Sequence, residues 1–388
     1  MEKKKTIIHL STMALWDISK GKGRVSTILP LKGAVSAGYN VIYFTSSPIQ
    51  AEGLEEGIVI KKINASFFTG SPLKLLLFQP IIPLIFFFSI LKQTRYNNIK
   101  MICCHASALA LTGFIISKIL KVKYMLKLYG VTDVTCKKLH PSRILLRMAF
   151  KIPADIYLLT NDGTDAKNIA ISYGVPENRI SFLRNGIDKD INLYYDCELR
   201  KTITQTDEYL LVSLSRLANW KQVDLIIKAM PGIIKRISAK LLIIGDGDQR
   251  EYLEKLACEL GVEDNVVFLG AKKQSEVYRY LQISDLFISM NSASSMSNPV
   301  FESMLCAIPV LALNKGTTKD LITDGVNGYI IEEKDLDNMP LRVEAILRDD
   351  MNRTKIGQNA RKYILDNFQT WDERVATEID ILNSLIDE

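Results

Sequence analysis

Twelve short runs rich in β-branched and aliphatic residues alternate with amphipathic stretches from one end of the chain to the other. This alternation limits the fold more than any other feature. Parallel strands need long crossovers, and both faces of their sheet must be covered by helices. In the first half the expected strands are Thr6–Leu10, Asn40–Thr45, Lys100–Cys104, Lys123–Leu128, Asp155–Leu159 and Arg179–Leu183. In the second they are Tyr209–Ser213, Lys240–Ile244, Asn265–Leu269, Leu286–Ser289, Pro309–Leu313 and Gly328–Ile331. The class is therefore α/β, each half building its own doubly wound sheet. Asp188–Asp207, rich in charge and without clear periodicity, is the expected linker. A chain of 388 residues suits two domains at ~100–200 residues each. Ligands are expected beyond the carboxyl ends of the strands, in the crevice between domains.

The overall charge of +6 conceals an asymmetry. Residues 1–190 hold 26 Lys+Arg and 12 Asp+Glu, a balance of +14, which leaves 23 against 31, or −8, for the remainder. A basic half attracts anionic partners, although a solvated lysine-rich surface explains the same counts. Nucleic acid is disfavoured, because the cations are not interleaved with an aromatic stripe. The six cysteines show no CxxC spacing and sit mostly in apolar runs, so buried thiols in a reducing compartment are expected. Met1–Lys5 is cationic, but the apolar run Thr6–Leu10 is too short for a signal peptide and reads as a first strand. A cytoplasmic protein is expected. The segment Leu73–Leu91, LKLLLFQPIIPLIFFFSIL, is nearly apolar yet contains Lys74, Gln79, Pro80 and Pro83. It reads first as a buried helix or helix pair, then as an interfacial surface backed by Lys92, Arg95 and Lys100, and last as a membrane span.

Three loops in the second half carry candidate chemistry. Strand Tyr209–Ser213 runs into Arg216 and Lys221, two cations able to converge on a polyanion at a helix start; an exposed basic turn is the simpler alternative. Gly245, Asp246 and Gly247 follow the next strand, where glycine permits a sharp turn and close approach to a ligand. GDGDQR lacks the third glycine of a dinucleotide fingerprint, so hydride chemistry gains little support. After Leu286–Ser289 a small polar loop leads through Ser297, Asn298, Pro299 and Val300 into a helix, offering N–H groups to a phosphate. Glu302, one turn in, can present its carboxylate to paired sugar hydroxyls or serve as a helix-dipole partner.

The ordered set LSRLANWKQVDLIIKA, LLIIGDGDQREYLEKLACELGVEDNVVFLG, SNPVFESMLCAIPVLA and LITDGVNGYI resembles the C-terminal domain of the retaining glycosyltransferases of family 4, glycosyl transferases group 1. IIHL, KGKG, CCHAS, KLYG and LRNGID extend the likeness through the first half. The resemblance implies the GT-B fold, two Rossmann-like doubly wound domains facing each other across a cleft. The domains implied are 1–192, which binds acceptor, and 205–369, which binds the nucleotide sugar; a C-terminal helix of about 370–388 packs back on the first. The implied catalytic set is Arg216 and Lys221, gripping the donor diphosphate, and Glu302 on the ribose. Ser297, Asn298, Pro299 and Val300 are implied to contact donor sugar and phosphates. Gly245, Asp246 and Gly247 form the nucleotide-facing turn, and Gly270 with Ala271 lies near the base. On the acceptor side or in the cleft are Gly21, Lys22, Gly23, His105, Tyr129, Gly130 and Asn185. Three positions depart from the family pattern: Ser294 stands where the first of two paired glutamates falls, Tyr129 where a histidine is usual, and Ala307 where glycine is common.

The implied reaction is retaining hexosyl transfer from a UDP-sugar, with GDP-mannose open, to a saccharide or polyprenyl-linked saccharide in surface polysaccharide assembly. No metal or other cofactor is implied, since no DxD motif stands at a strand end in a metal-holding context. The basic first half and Leu73–Leu91 suit an acceptor presented at an anionic membrane surface. The competing readings are a catalytically silent GT-B scaffold and a nucleotide-sugar epimerase of similar fold.

Overall fold

The computed structural model describes residues 4–12, 25–46, 57–94, 98–130, 139–160, 163, 165–205 and 207–387. The chain divides into two compact units, one of residues 1–186 with 369–388, the other of residues 187–368. In the first, seven parallel strands are ordered β3-β2-β1-β4-β5-β6-β7. They are β1 Lys5–Ser11, β2 Asn40–Thr45, β3 Ile58–Lys62, β4 Asn98–His105, β5 Lys123–Leu128, β6 Ile156–Thr160 and β7 Ile180–Leu183. The second holds six parallel strands ordered β10-β9-β8-β11-β12-β13. They are β8 Tyr209–Leu214, β9 Ala239–Ile244, β10 Val266–Gly270, β11 Leu286–Ser289, β12 Val310–Leu313 and β13 Tyr329–Ile331.

Strand residues alternate between two cores, as the period of a pleated strand requires. In β5, Tyr124, Leu126 and Leu128 enter the core that holds helices Pro72–Leu77 and Ile82–Thr94. Met125 faces the opposite core, with Ile379, Leu382 and Leu385 of helix Trp371–Asp387. Lys127 has the parity of Met125 and is 1% exposed. Its ammonium pairs with the carboxylate of Glu378, which also accepts from Arg374 Nη1 at 2.5 Å. Burial alone depresses Lys127 and raises Glu378, but their mutual attraction outweighs it, so the lysine ends above its ordinary range and the glutamate below. The terminal helix is thereby tied to the first sheet.

Sequence expectation and structure differ at an edge strand, at the linker and at two thiols, and agree that Leu73–Leu91 forms a helix pair. The strand β3, at the edge of the first sheet, was not anticipated; two of its five residues are lysines and its burial is shallow, so no apolar run announces it. The expected linker Asp188–Asp207 contains the helix Cys197–Ile203, capped by Asp196, whose carboxylate accepts from Leu199 N at 3.0 Å. Arg200 fastens that helix to the second unit by ion-pairing with Asp285 at 2.7 Å. Leu73–Leu91 forms two helices separated around Gln79, and among the described residues no helix is long and apolar enough to cross a membrane. Of the thiols expected to be buried, Cys103, Cys104 and Cys306 are, but Cys197 and Cys258 are exposed; Cys136 lies outside the described residues.

Candidate functional site

In the second sheet the winding direction reverses between β8 and β11, and the loops that leave those strands are the two that carry the candidate cations and the small polar run. Such a switch point opens a crevice at the carboxyl ends of the strands. Beyond β8, Ser215–Ala218 lead into a single 3-10 turn, Asn219–Lys221, and then helix Val223–Ile234. Beyond β11, Met290–Ser297 lead into helix Asn298–Leu305. The two loops are joined, since Ser292 donates through both N and Oγ to the Trp220 carbonyl, each at 3.0 Å.

Arg216 and Lys221 both lie against the Trp220 indole, the guanidinium carbon 5.9 Å and the ammonium 4.0 Å from the ring. Trp220 thus lies within reach of both cations, and cation–π attraction offsets part of the cost of holding two like charges around one ring. Arg216 is exposed and has no carboxylate within ion-pair distance among the described residues. The sequence showed Trp220 between the cations but gave it no role.

Beside this loop lies the β9 turn. Leu217 donates from N to the Asp246 carbonyl at 2.9 Å, and Gln249 N donates back to the Leu217 carbonyl at 3.0 Å. Gly245 has φ +131°, and a β-carbon there would collide with the Ser215 carbonyl oxygen; one at Gly247 would meet the Leu217 carbonyl. These glycines hold the two turns together, a packing reason for GDG that coexists with ligand approach. Asp246 Oδ1 accepts from Gly247 N at 2.8 Å, and its other oxygen lies 3.7 Å from Arg250. The Gly270 carbonyl, at the end of β10, accepts from Gly245 N at 2.9 Å, and Ala271 beside it is exposed.

The loop after β11 is tightly held. Ser294 is fully buried and its Oγ accepts from Met296 N at 3.0 Å, so the residue standing in place of a glutamate shapes the backbone. Ser295 N donates to Thr318 Oγ1 at 3.0 Å. Ser297 caps helix Asn298–Leu305 without a side-chain hydrogen bond, and Pro299 occupies the first turn, where its missing N–H costs nothing. Ser297, Asn298 and Pro299 are half-buried and Val300 fully buried.

Glu302 lies on the side of this helix that meets helix Gln274–Gln282. Burial pushes its carboxyl up to about 7, opposed by a hydrogen bond from Gln274. Burial, followed by the charge of Glu302, raises the Tyr278 phenol and brings the Cys306 thiol to about 12. No sequence signal pointed to Gln274 or Tyr278 as its neighbours. One turn later, Ala307 has φ +57° and completes a Schellman motif, with Ala307 N donating to Met304 O and Ile308 N to Ser303 O, both at 3.0 Å.

The remaining candidates belong to the first unit, where the winding reverses between β1 and β4. His105 is inaccessible, its Nδ1 2.6 Å from the Tyr129 hydroxyl and its Nε2 2.8 Å from His9 Nδ1. Two proton arrangements link the three rings, with donation running from Tyr129 through His105 to His9 or in the reverse sense, and His9 Nε2 has no partner among the described residues. Burial, then the charge of Lys127, holds His9 well below the usual imidazole range. Burial also raises the Tyr129 phenol. Gly130 follows with φ +136°, and Asn185 lies half-buried just after β7. Gly21, Lys22 and Gly23 lie outside the described residues.

Residues 197–363 match the family model described as Glycosyl transferases group 1. An uncharacterised glycosyltransferase of Methanocaldococcus jannaschii is 30% identical over 215 residues, which cover 54% of this chain and 55% of that one. The N-acetyl-alpha-D-glucosaminyl L-malate synthase of Bacillus anthracis is 25% identical over 269 residues, 68% of each chain. A GDP-mannose-dependent alpha-(1-6)-phosphatidylinositol monomannoside mannosyltransferase of Mycolicibacterium smegmatis is 27% identical over 242 residues, 59% of this chain and 62% of that one. The likeness thus spans little more than half of the archaeal relative. Among solved structures, sucrose-phosphate synthase from Thermosynechococcus elongatus superposes with a TM-score of 0.79 at 16% identity, covering 99% of this chain and 100% of that one. Anabaena HepE in complex with UDP-glucose gives 0.75 at 19% identity, covering 98% and 100%. These two likenesses concern the fold, which is GT-B.

Proposed function

We propose that this chain, a member of the glycosyl transferases group 1 through residues 197–363, is a retaining glycosyltransferase that moves a sugar from a nucleotide diphosphate to a saccharide or lipid-linked saccharide. The observation that carries the reading is the pair Arg216 and Lys221 on one indole at the sheet's switch point, beside a helix N-terminus. A departing diphosphate develops negative charge there. Two cations stabilise that charge most when it is fully developed, which lowers the barrier rather than merely tightening ground-state binding. Arg216 supplies a planar fork for two phosphate oxygens, and Lys221 a compact charge. Glu302, once ionised, accepts from the two ribose hydroxyls and fixes the nucleotide's register. The bond from the anomeric carbon to the diphosphate oxygen breaks as the acceptor oxygen bonds on the same face, and the acceptor proton passes to the departing phosphate. Positioning and exclusion of water complete the task, and no step calls for a metal or other cofactor.

We take UDP-sugars as the first donors to test and GDP-mannose as the second, the latter because mycobacterial relatives are named as dependent on it. The place of action we favour is the cytoplasmic face of a membrane, in surface polysaccharide assembly. Thermal shift with UDP, GDP and their sugar derivatives tests the donor site. Ligand at 100 times its dissociation constant stabilises the fold by ~2.7 kcal/mol. Arg216→Ala and Glu302→Ala are expected to abolish the shift, and undiminished nucleotide binding in both would refute the assignment. Transfer of sugar to acceptor by the purified single chain separates an enzyme from a silent scaffold.

A further inference from the structure

We propose that the outer face of helices Pro72–Leu77 and Ile82–Thr94 docks on an anionic phospholipid leaflet. Helix Ile82–Thr94 buries Ile82, Phe86 and Ile90, at intervals of four, in the same core that takes Leu75 of the shorter helix. Between Ile81 and Leu91 every exposed side chain is apolar. Leu84, Phe88 and Leu91, with Ile81 just ahead of the helix, recur at helical spacing and are 56%, 64%, 39% and 44% exposed. Leu73 and Leu77 on the shorter helix are 54% and 64% exposed. Because both helices bury their inner stripes in one core on one face of the first sheet, their outer stripes share a side of the unit. A surface helix ordinarily presents charged and polar groups there, and a contiguous apolar face marks an interaction site.

The surrounding charge selects the occupant. Residues 57–132 contain ten Lys or Arg and no Asp or Glu. Lys92 is exposed at the end of the apolar stripe, and Lys74 sits 4.5 Å from the ring of Phe67, itself 64% exposed. Helix Ala110–Leu120, packed on Ile82–Thr94, ends with exposed Lys118 and with Ile119 at 52% exposure. A second copy of this face would oppose cation to cation with no carboxylate to meet either. An anionic leaflet supplies an apolar interior for the leucines and phenylalanines and a negative surface for the lysines. Pro80 and Pro83 interrupt the apolar run, and the longer helix has 13 residues against the ~20 that a span needs, so the face lies on the bilayer without crossing it.

The surface stands on the first unit alone and goes beyond the donor reading. The test is flotation of the full chain with vesicles of phosphatidylcholine, with and without phosphatidylglycerol, at low and high salt. Binding is expected only with phosphatidylglycerol and only at low salt. The double variant Leu84→Ser/Phe88→Ser is expected to lose on the order of ten-fold in vesicle affinity, and Lys74→Glu/Lys92→Glu at least about five-fold per position. The altered side chains are surface groups, and the nucleotide thermal shift is expected to persist in both variants. That readout separates failure here from failure of the donor assignment. Absence of wild-type flotation on phosphatidylglycerol vesicles, equal flotation on neutral ones, or equal flotation of Leu84→Ser/Phe88→Ser overturns the proposal. Self-association that disappears in that variant, without any lipid binding, overturns it in favour of a second copy.

Discussion

Replacing Glu302 by glutamine separates what this side chain does for the fold from what it does for a ligand. Its carboxyl is raised from 4.5 to about 7 because burial penalises the charged form, only partly relieved by Gln274. In the unfolded chain it ionises near its ordinary value, so between those two pH values the folded state holds the extra proton. Stability therefore falls as pH rises across that window, and the deficit is complete above about 7. The full shift corresponds to ~3 kcal/mol at ~1.4 kcal/mol per unit. The side chain keeps some exposure to water, which lowers the working value to ~2 kcal/mol. Glu302→Gln removes the ionisation and retains the shape and the contact with Gln274. The variant is expected to match the wild type near pH 4 and to exceed its melting temperature at pH 8 by ~4–8 °C, for a domain of this size. Nucleotide affinity is expected to move the opposite way: in the wild type it rises as pH climbs through about 7 and the carboxylate forms, whereas the variant binds weakly at every pH, by ~1.5–3 kcal/mol for hydrogen bonds to a charged acceptor. Differential scanning fluorimetry across pH, with and without UDP, measures both. A melting difference that does not vary with pH, or a variant less stable at pH 8, would show that Glu302 is not strained by burial.

Ala307 adopts φ +57° at the helix C′ position, where a side chain costs ~1–2 kcal/mol; Ala307→Gly is expected to stabilise the second unit by ~1 kcal/mol in urea titration, and a loss of stability would contradict the backbone assignment. Glu378→Gln leaves Lys127 and Arg374 buried with no compensating charge and is expected to cost ~3–5 kcal/mol, visible as faster hydrogen exchange in helix Trp371–Asp387. The triple Lys127→Met/Glu378→Leu/Arg374→Leu change is expected to cost less than that single one, and the reverse order would sink the argument. Gly245→Ala brings a β-carbon onto the Ser215 carbonyl at φ +131°; it should cost ~1–3 kcal/mol and weaken nucleotide binding by shifting the Arg216 loop, so unchanged urea midpoint and affinity would remove that packing role.

Strands with a sustained apolar run were legible because a buried parallel strand needs one. Tyr209–Leu214 and Leu286–Ser289 follow that rule, whereas β3 at the sheet edge does not. Helix Cys197–Ile203 escaped notice because seven residues barely complete two turns, too few to display a period among charged side chains. The loops of the candidate site could be placed, since each follows a readable strand. Their chemistry could not be read in full. Glu302 draws its character from burial and from Gln274, on the helix one strand earlier. Lys127, in an apolar strand, finds its partner 251 residues downstream. Pairings that join distant segments leave no trace in local pattern, and one sequence alone cannot supply them.

The two sheets reverse their winding at equivalent places, β1/β4 and β8/β11, yet they fill those places differently. At the first reversal the polar groups are buried: His9, His105 and Tyr129 form a chain in which His9 Nε2 has no partner among the described residues, and in the Lys127–Glu378–Arg374 ion triad nearby Arg374 Nε and Nη2 have none. Burial that holds His9 well below the usual imidazole range opposes a charge on that ring. At the second reversal polar groups are more accessible. Arg216 is exposed, the helix Asn298–Leu305 opens without a side-chain cap, and Glu302 is held short of full ionisation at neutral pH. An anionic ligand meeting such accessible charge forms charge-assisted hydrogen bonds. The contrast supports the proposed donor site on the second sheet and the proposed docking face on the outer helices of the first.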